Sequence, residues 1–170
     1  MLEMGFFIIL AVVATITALM VIAQRNPVVS AIYLIVTLFS LAGIYLLLGA
    51  QFVAIIQVLV YAGAIMVLFL FVIMLLNLEK EKKLVARHRL QRILGVFLGI
   101  ILLGQIGLIF ASVFPEGPKG NFPMEKVAAL GNTEVVARLL FTDYLLPFEI
   151  TSVLLLVAIV GAIVLAKKQL

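Results

Sequence analysis

The sequence contains no cysteine, only one histidine and few charged residues. Without cysteine, the chain can hold no disulfide, no thiolate zinc site and no thiolate-bound iron–sulfur cluster. The histidine, His88, lies among basic residues in the stretch EKEKKLVARHRLQR, and a lone histidine cannot build a metal site. We therefore expect this chain to bind no metal and no cofactor of its own.

The low content of charged residues also indicates whether water or lipid surrounds the protein. Charged residues make up 12% of the 170 residues, whereas soluble domains have about 25%. Hydrophobic residues make up 66%, and the mean hydropathy is +1.36. A soluble fold of this size cannot bury so much apolar surface, so the sequence predicts an integral membrane protein.

Runs without charge mark the membrane-spanning segments. Each run is long enough to cross a hydrocarbon layer of about 30 Å as a helix rising 1.5 Å per residue. The fold class predicted is therefore an all-α integral membrane protein, a single membrane domain over residues 1–170. Its five transmembrane helices cover approximately residues 4–23, 28–48, 52–78, 93–114 and 145–166, with Glu149 inside the last. The first is expected to be a retained span, because no basic segment precedes it.

The distribution of lysine and arginine predicts the orientation of these spans. Nine of the 12 basic residues fall on one side of the membrane if the spans alternate, most of them in the loop 79–92. Basic loops favour the cytoplasm, so the sequence predicts an N-terminus outside and a C-terminus inside. The basic loop thus indicates topology and not nucleic-acid binding. The segment 115–144 becomes an outer loop with short interfacial helices.

The spans offer almost no groups for catalysis. They contain no paired carboxylates, no Ser/His/Asp set and no phosphate-binding glycine loop. Glu149 has two open interpretations. If Pro147 is the first helical residue, Glu149 lies in the first turn and caps free backbone N–H groups. Alternatively, it takes part in proton movement, since ionisable groups in a membrane are candidates for function.

The third span carries an unusual cluster in the stretch AIIQVLVYAGAIMVLFLFVIMLL. Gln57 and Tyr61 are four residues apart, which places them on one face of an α-helix, and this face should turn toward protein or water. The residues Ala62, Gly63 and Ala64 follow, and glycine weakens a helix by about 1 kcal/mol relative to alanine. Two interpretations stay open. The cluster is either a close helix crossing with Tyr61 hydrogen-bonded across it, or a conformational element.

The stretch NPVVSAIYLIVTLFSLAGIYLLLGAQFVAIIQVLVYAGAIMVLFLFVIMLLNL (26–78) resembles the J-type membrane subunit of bacterial NADH:quinone oxidoreductase, respiratory complex I. The specific marks are the NP that opens the second span, the turn LLGAQF, and VYAGAIMVLFLFVIMLLN. A second match is LLFTDYLLPFEITSVLLLVAIVGAIVLAKK (139–168). The resemblance implies a membrane-arm subunit without catalytic residues, located in the bacterial cytoplasmic (inner) membrane.

The same resemblance implies the subunit's neighbours. Its partners would be the K-, A-, H- and N-type subunits and membrane lipid. Quinone would be affected only indirectly, and flavin and iron–sulfur clusters would belong to partner subunits.

The resemblance further implies a π-bulge in the third span that switches between α and π forms. This switch would open a hydrated path that links quinone chemistry to proton translocation. Tyr61 would then be the gate residue and Ala62, Gly63 and Ala64 the deformable turn. Val67 and Phe69 would be the bulky groups that the switch moves. Some family members have glutamate where this chain has Gln57, and often an acidic residue near Gln51. Glutamine cannot carry a proton, so neither position is expected to relay protons here, but Gln57 can orient water or bond Tyr61.

Two other functions remain open at the level of sequence. A small autonomous transporter would need a polar binding site at the middle of the membrane, where this chain offers only Gln57 and Tyr61. A passive scaffold would use its small residues only to pack helices. Variants that change coupling without loss of assembly separate the energy-transducing subunit from the scaffold.

Overall fold

The computed structural model describes residues 1–76, 89–112, 127 and 129–167. Most of the predicted basic loop 79–92 and the first part of the predicted outer loop 115–144 lie outside these residues. Within them every regular element is a helix, so the predicted all-helical class is confirmed. The helices are α1 (Leu2–Ala23), α2 (Pro27–Leu47), α3 (Gln51–Leu75), α4 (Arg89–Ser112), α5 (Asn132–Phe141) and α6 (Leu145–Ala166).

Four of these helices are long enough and apolar enough to cross a membrane: α1, α2, α3 and α6. Helix α4 contains a shorter apolar stretch, Ile93–Ile109. The chain is therefore a multi-pass membrane protein.

The connection between α1 and α2 follows from its sequence. Asn26 precedes α2 and its side-chain oxygen accepts a hydrogen bond from the amide of Val28 at 2.9 Å. Pro27 opens the helix at a position where an N–H would have no intrahelical partner. At the other end of α2, Gly49 has a φ of +73°, which glycine adopts without the steric cost that a side chain brings. This glycine allows the tight reversal into α3.

Helices α1 and α2 pack closely along their length because small and hydroxyl side chains line their contact. Ala14 and Ala31 are buried there, and a Cβ added to Gly43 would lie 2.9 Å from a δ-carbon of Leu10. The buried hydroxyls of Thr17 and Thr37 lie 2.8 Å apart and join the two helices by a hydrogen bond. Small residues and hydroxyl groups stabilise helix pairs in lipid, where the hydrophobic effect does not act between helices.

Helix α2 also packs against α3, which makes it the centre of a three-helix unit. Helix α5 lies against the first turn of α3, where Asn132 Oδ1 accepts the backbone N–H of Phe52 at 3.1 Å. This bond satisfies one of the free N–H groups at the start of α3. Helix α6 follows α5, and within the described residues its only extensive contact is with α5.

We predict that Thr37→Val weakens the α1–α2 pair, because it removes the only side-chain bond between Thr17 and α2 while preserving the shape of the side chain. The expected loss in free energy of unfolding is about 1 kcal/mol, the typical scale of such bonds in membranes. Denaturant titration in mild detergent measures it. Thr15→Val is the control, because the exposed Thr15 hydroxyl bonds only to Ala11 O in its own helix. Equal losses in the two variants would contradict the interhelical role.

Candidate functional site

Helix α3 changes its hydrogen-bonding pattern in the middle of the membrane span. It begins as an α-helix over Gln51–Ile56, continues as a π-helix over Gln57–Ile65, and returns to an α-helix over Met66–Leu75. At the end of the π segment the amide of Met66 points to the carbonyl of Tyr61, five residues earlier, as well as to that of Gly63. An α-helix would pair it with the fourth residue before it. The π segment therefore contains the whole cluster from Gln57 to Ala64.

The buried face of α3 records this change of pattern independently. Its buried residues are Ala54, Gln57, Ala62 and Met66. The steps between them are three, five and four residues, and an α-helix would not keep the middle step on one face. A π turn accommodates an additional residue, which rotates everything beyond it by about 100° relative to a continuous α-helix. Ala62 and Met66 face α2 because of this rotation.

Tyr61 and Gln57 do not share a face, so the sequence-based prediction was wrong on this point. Gln57 is only 9% exposed, whereas Tyr61 is 49% exposed. Both residues lie in the π segment, where the number of residues per turn differs from that of an α-helix. In the described part of the chain the Tyr61 hydroxyl makes no hydrogen bond, so the predicted bond across a helix crossing is also not found. Tyr61 is instead exposed on the surface of the described helices.

Gly63 permits the wide turn. A Cβ built on Gly63 would lie 3.1 Å from the carbonyl oxygen of Val58, the residue five positions earlier. Such a distance is tighter than most real Cβ contacts, and the neighbour is backbone and not a flexible side chain. Glycine thus allows the carbonyl of Val58 to approach, and a Cβ at position 63 would require that carbonyl to move by a few tenths of an ångström.

The other predicted gate residues lie on the uncovered side of α3. Ala64 is exposed, and Val67 and Phe69 are 51% and 47% exposed. Of the predicted cluster, the structure therefore places Gln57 and Ala62 against α2, and directs Tyr61, Ala64, Val67 and Phe69 outward, with Gly63 half-buried. A change of register in the π segment would move members of both sets.

The polar residues of α2 that face the interior were not singled out from the sequence. Thr37 and Ser40 are buried in the same helix that packs against the π segment, and the hydroxyl of Ser40 donates to Val36 O at 2.9 Å. The signal that could have revealed them is their spacing, because residues three apart lie on one helical face. Gln57 adds a polar side chain on α3, and no described residue hydrogen-bonds it.

A groove of about 430 Å³ runs between α2 and the beginning of the π segment. It is almost entirely apolar, and small residues on both helices form its floor. Its lining consists of Phe39, Ala42, Gly43, Leu46, Ala54, Ile55, Val58 and Leu59. The groove lies beside Val58, whose carbonyl approaches Gly63, so a rearrangement of the π turn would change its shape.

The last span covers residues 145–166 as predicted, but Pro147 is not its first helical residue. Helix α6 begins at Leu145, so Pro147 is its third residue and Glu149 its fifth. The first turn contains no acidic residue, and no side chain caps the helix. Glu149 therefore lies in the second turn, where its carboxylate does not reach the free N–H groups that the predicted cap would satisfy.

Comparison with known proteins gives consistent matches along the chain. The family model described as NADH-ubiquinone/plastoquinone oxidoreductase chain 6 matches residues 17–165. Subunit 6 of an NAD(P)H-quinone oxidoreductase from the organellar chromatophore of Paulinella chromatophora is 41% identical, covering 96% of this chain and 78% of that protein. Subunit J of the F(420)H(2) dehydrogenase of Methanosarcina mazei is 37% identical, covering 99% and 93%. Subunit J of the NADH-quinone oxidoreductase of Rhodobacter capsulatus is 36% identical, covering 96% and 81%.

We predict that deletion of Val60 is tolerated, because removing one residue from the π segment allows a continuous α-helix that keeps Ala54, Gln57, Ala62 and Met66 on one face. The melting temperature in detergent should fall by no more than about 4 °C, which corresponds to about 1 kcal/mol for a chain of this size.

The matched control is deletion of Val36, an exposed valine in the regular α-helix α2. Removing one residue there rotates Thr37, Ser40 and Ala42 away from the side chains that they pack against. The amount of folded protein should therefore fall strongly. Equal destabilisation by the two deletions would contradict the assigned register.

Proposed function

Because the chain belongs to the NADH-ubiquinone/plastoquinone oxidoreductase chain 6 family, which includes subunit J of NADH-quinone oxidoreductase, we propose that α3 couples quinone reduction to proton translocation. The chain is a membrane subunit of this multi-subunit oxidoreductase. Its specific contribution would be a conformational gate in which the π segment Gln57–Ile65 converts to an α-helix and back. The single observation that carries this proposal is the π-helical geometry of that segment within a span of otherwise α-helical residues.

The consequence of such a conversion follows from helix geometry. In the α form, Tyr61 would lie one turn beyond Gln57 on the same face, and the two polar groups would form a pair. In the π form, Gln57 is buried and Tyr61 points outward. The switch therefore joins or separates two polar groups in a span that is otherwise apolar. Water needs such groups to enter the membrane interior, so joining them favours a hydrated path and separating them interrupts it.

The same conversion moves bulky side chains. Because Val67 and Phe69 follow the π segment, its conversion to an α-helix rotates them by about 100° relative to the first turns of α3. Both lie on the side of α3 that the described part of the chain leaves uncovered. We infer that they close or open the path against a neighbouring subunit. Gln57 has no titratable proton, so its role would be to orient water or to bond Tyr61.

We propose an arrangement of the subunit that extends the resemblance described above. Helix α4 would be the fifth span, with the N-terminus outside and the C-terminus in the cytoplasm of a bacterium, as the basic residues favour. The K-, A-, H- and N-type subunits would be its protein neighbours. Flavin and iron–sulfur clusters would be held by other subunits, which agrees with the lack of cysteine in this chain. This subunit would affect quinone only indirectly, through the neighbouring subunits.

We predict that Gly63→Val lowers quinone reductase turnover while the complex assembles normally. The added side chain meets the carbonyl of Val58 and disfavours the π form, so α3 would stay in one state. Turnover should fall about tenfold, measured in membrane vesicles together with the amount of assembled complex. Gly104→Val in α4 is the control, because a Cβ at Gly104 meets no atom within 4 Å. Normal turnover and pumping in Gly63→Val would refute the gate.

We predict that Tyr61→Phe weakens pumping more than electron transfer. The change removes only the hydroxyl, so helix packing and the π turn are preserved while one polar group of the path is lost. The number of protons moved per NADH oxidised should fall modestly, by about a third, at nearly unchanged turnover. Simultaneous proton and NADH measurements in the same vesicles test this. A passive scaffold would instead show no change in the ratio.

A further inference from the structure

The two halves of α3, on either side of the π segment, are held in different ways. The first half, Gln51–Ile56, follows α2 after a short turn. In this turn the amide of Gly49 donates to Leu46 O at 3.1 Å. The next amide, that of Ala50, donates to Tyr45 O at 2.9 Å. With the positive φ of Gly49, these two bonds form a Schellman motif, which fixes the entry of α3 to the end of α2.

Helix α5 holds the same half from a second direction. The free N–H groups of the first turn of a helix point along its axis, so their acceptors lie beyond its N-terminal end. The acceptor for Phe52 is Oδ1 of Asn132, the first residue of α5, at 3.1 Å. Helix α5 is itself held, because Val135 is buried and the rings of Phe141 and Phe148 meet edge to face at 5.0 Å. Asn132 therefore ties the start of α3 to an independently packed helix.

The second half of α3, Met66–Leu75, has no comparable attachment within the described residues. Met66 is its buried residue, whereas Leu68 is 67% exposed. In the described part of the chain no side-chain hydrogen bond joins this half to another helix. It is held by apolar packing against α2 on one side. The second half is thus the more weakly attached of the two.

This difference decides which half moves when the π segment changes. Conversion of a π turn to an α turn screws one half relative to the other by one residue, which is about 100° and 1.5 Å. If the first half moved, the turn 48–50 would have to accommodate the displacement and lose its bonds, and Phe52 would leave Asn132. If the second half moves, all of these bonds are preserved. Movement of the second half, which carries Val67 and Phe69, therefore costs less.

On the basis of the gate proposed above, we propose that Asn132 is a positioning residue for it. By holding the first half of α3 against α5, Asn132 directs the conversion of the π segment into a rotation of the second half, Met66–Leu75. It acts through the backbone amide of Phe52 and takes no part in proton or electron transfer.

Pulsed electron paramagnetic resonance on the full-length chain in lipid nanodiscs tests which half moves. The chain has no cysteine, so two introduced cysteines carry nitroxide labels selectively. One label replaces the exposed Ile16 of α1, and the other replaces either Ile55 in the first half or Leu68 in the second. Gly63→Val supplies the converted state. We expect it to shift the distance from Ile16 to Leu68, whose Cα moves by about 3.8 Å in a one-residue screw, and to leave the distance to Ile55 unchanged.

The role of Asn132 is tested by its substitution in the Gly63→Val background. Asn132→Ala should raise the fraction of molecules with a shifted Ile55 label about fivefold, the scale of one hydrogen bond. Asn132→Asp keeps an acceptor oxygen and should retain the unshifted distance. Thr133→Ala is the matched control, because Thr133 is the exposed neighbour of Asn132.

The outcomes separate this role from the gate itself. A shifted Ile55 label with Asn132 intact, or no effect of Asn132→Ala, would overturn the positioning role while the gate stands. Unchanged distances to both labels in Gly63→Val would refute the gate and the positioning role with it. In the assembled complex, Asn132→Ala should lower the number of protons moved per NADH oxidised, and Asn132→Asp should not. A residue that only stabilises the fold would lower assembly and leave this ratio unchanged, which would also overturn the proposal.

Discussion

The structure depends on one constraint, which is that backbone N–H and C=O groups in a hydrocarbon layer must bond to each other. A membrane helix therefore cannot expose polar backbone at a simple break, and it has few ways to redirect its side chains. A π turn is one of them, because each N–H keeps a carbonyl partner while the face of the helix rotates. The stretch from Gln57 to Ile65 uses this solution, and Met66 returns the chain to α geometry with Ala62 and Met66 against α2.

The π segment lies beside a firmly bonded pair of helices, α1 and α2. The buried hydroxyls of Thr17 and Thr37 join the two helices, and the Ser30 hydroxyl donates across the same interface to Val21 O at 2.6 Å. These bonds lie on the side of α2 that faces α1, while another part of α2 packs against α3. At the start of α3, Asn132 holds the first turn through Phe52. The π segment is thus bounded by parts of the chain that are independently hydrogen-bonded.

Hydrophobic runs and turn residues were sufficient to predict the helices, because lipid permits few alternatives. Pro27 opens α2 and Gly49 ends the connection to α3, as local chemistry requires. The faces within α3 were less predictable, since the rule that residues four apart meet assumes an α-helix, and the π turn invalidates it for Gln57 and Tyr61. Pro147 failed as a start signal because proline fits any position in the first turn, where N–H groups have no helical partner. Burial of Thr37 and Ser40 depends on which helices pack together, which a single span does not encode.

The identity of residue 57 decides what kind of path this span can support. A glutamate buried to the extent of Gln57 would be either paired or protonated, and its state would change the energy of the whole segment. An amide has no such dependence, so in the proposed switch the energy difference between the α and π forms would be set by packing and by the approach of Gly63 to Val58. In this chain, proton movement would then be controlled by where water can go and not by titration within α3. The acidic residue of the spans, Glu149, lies in α6, on a helix that α3 does not contact extensively. Within the described residues it is therefore not placed to relay protons through the π segment.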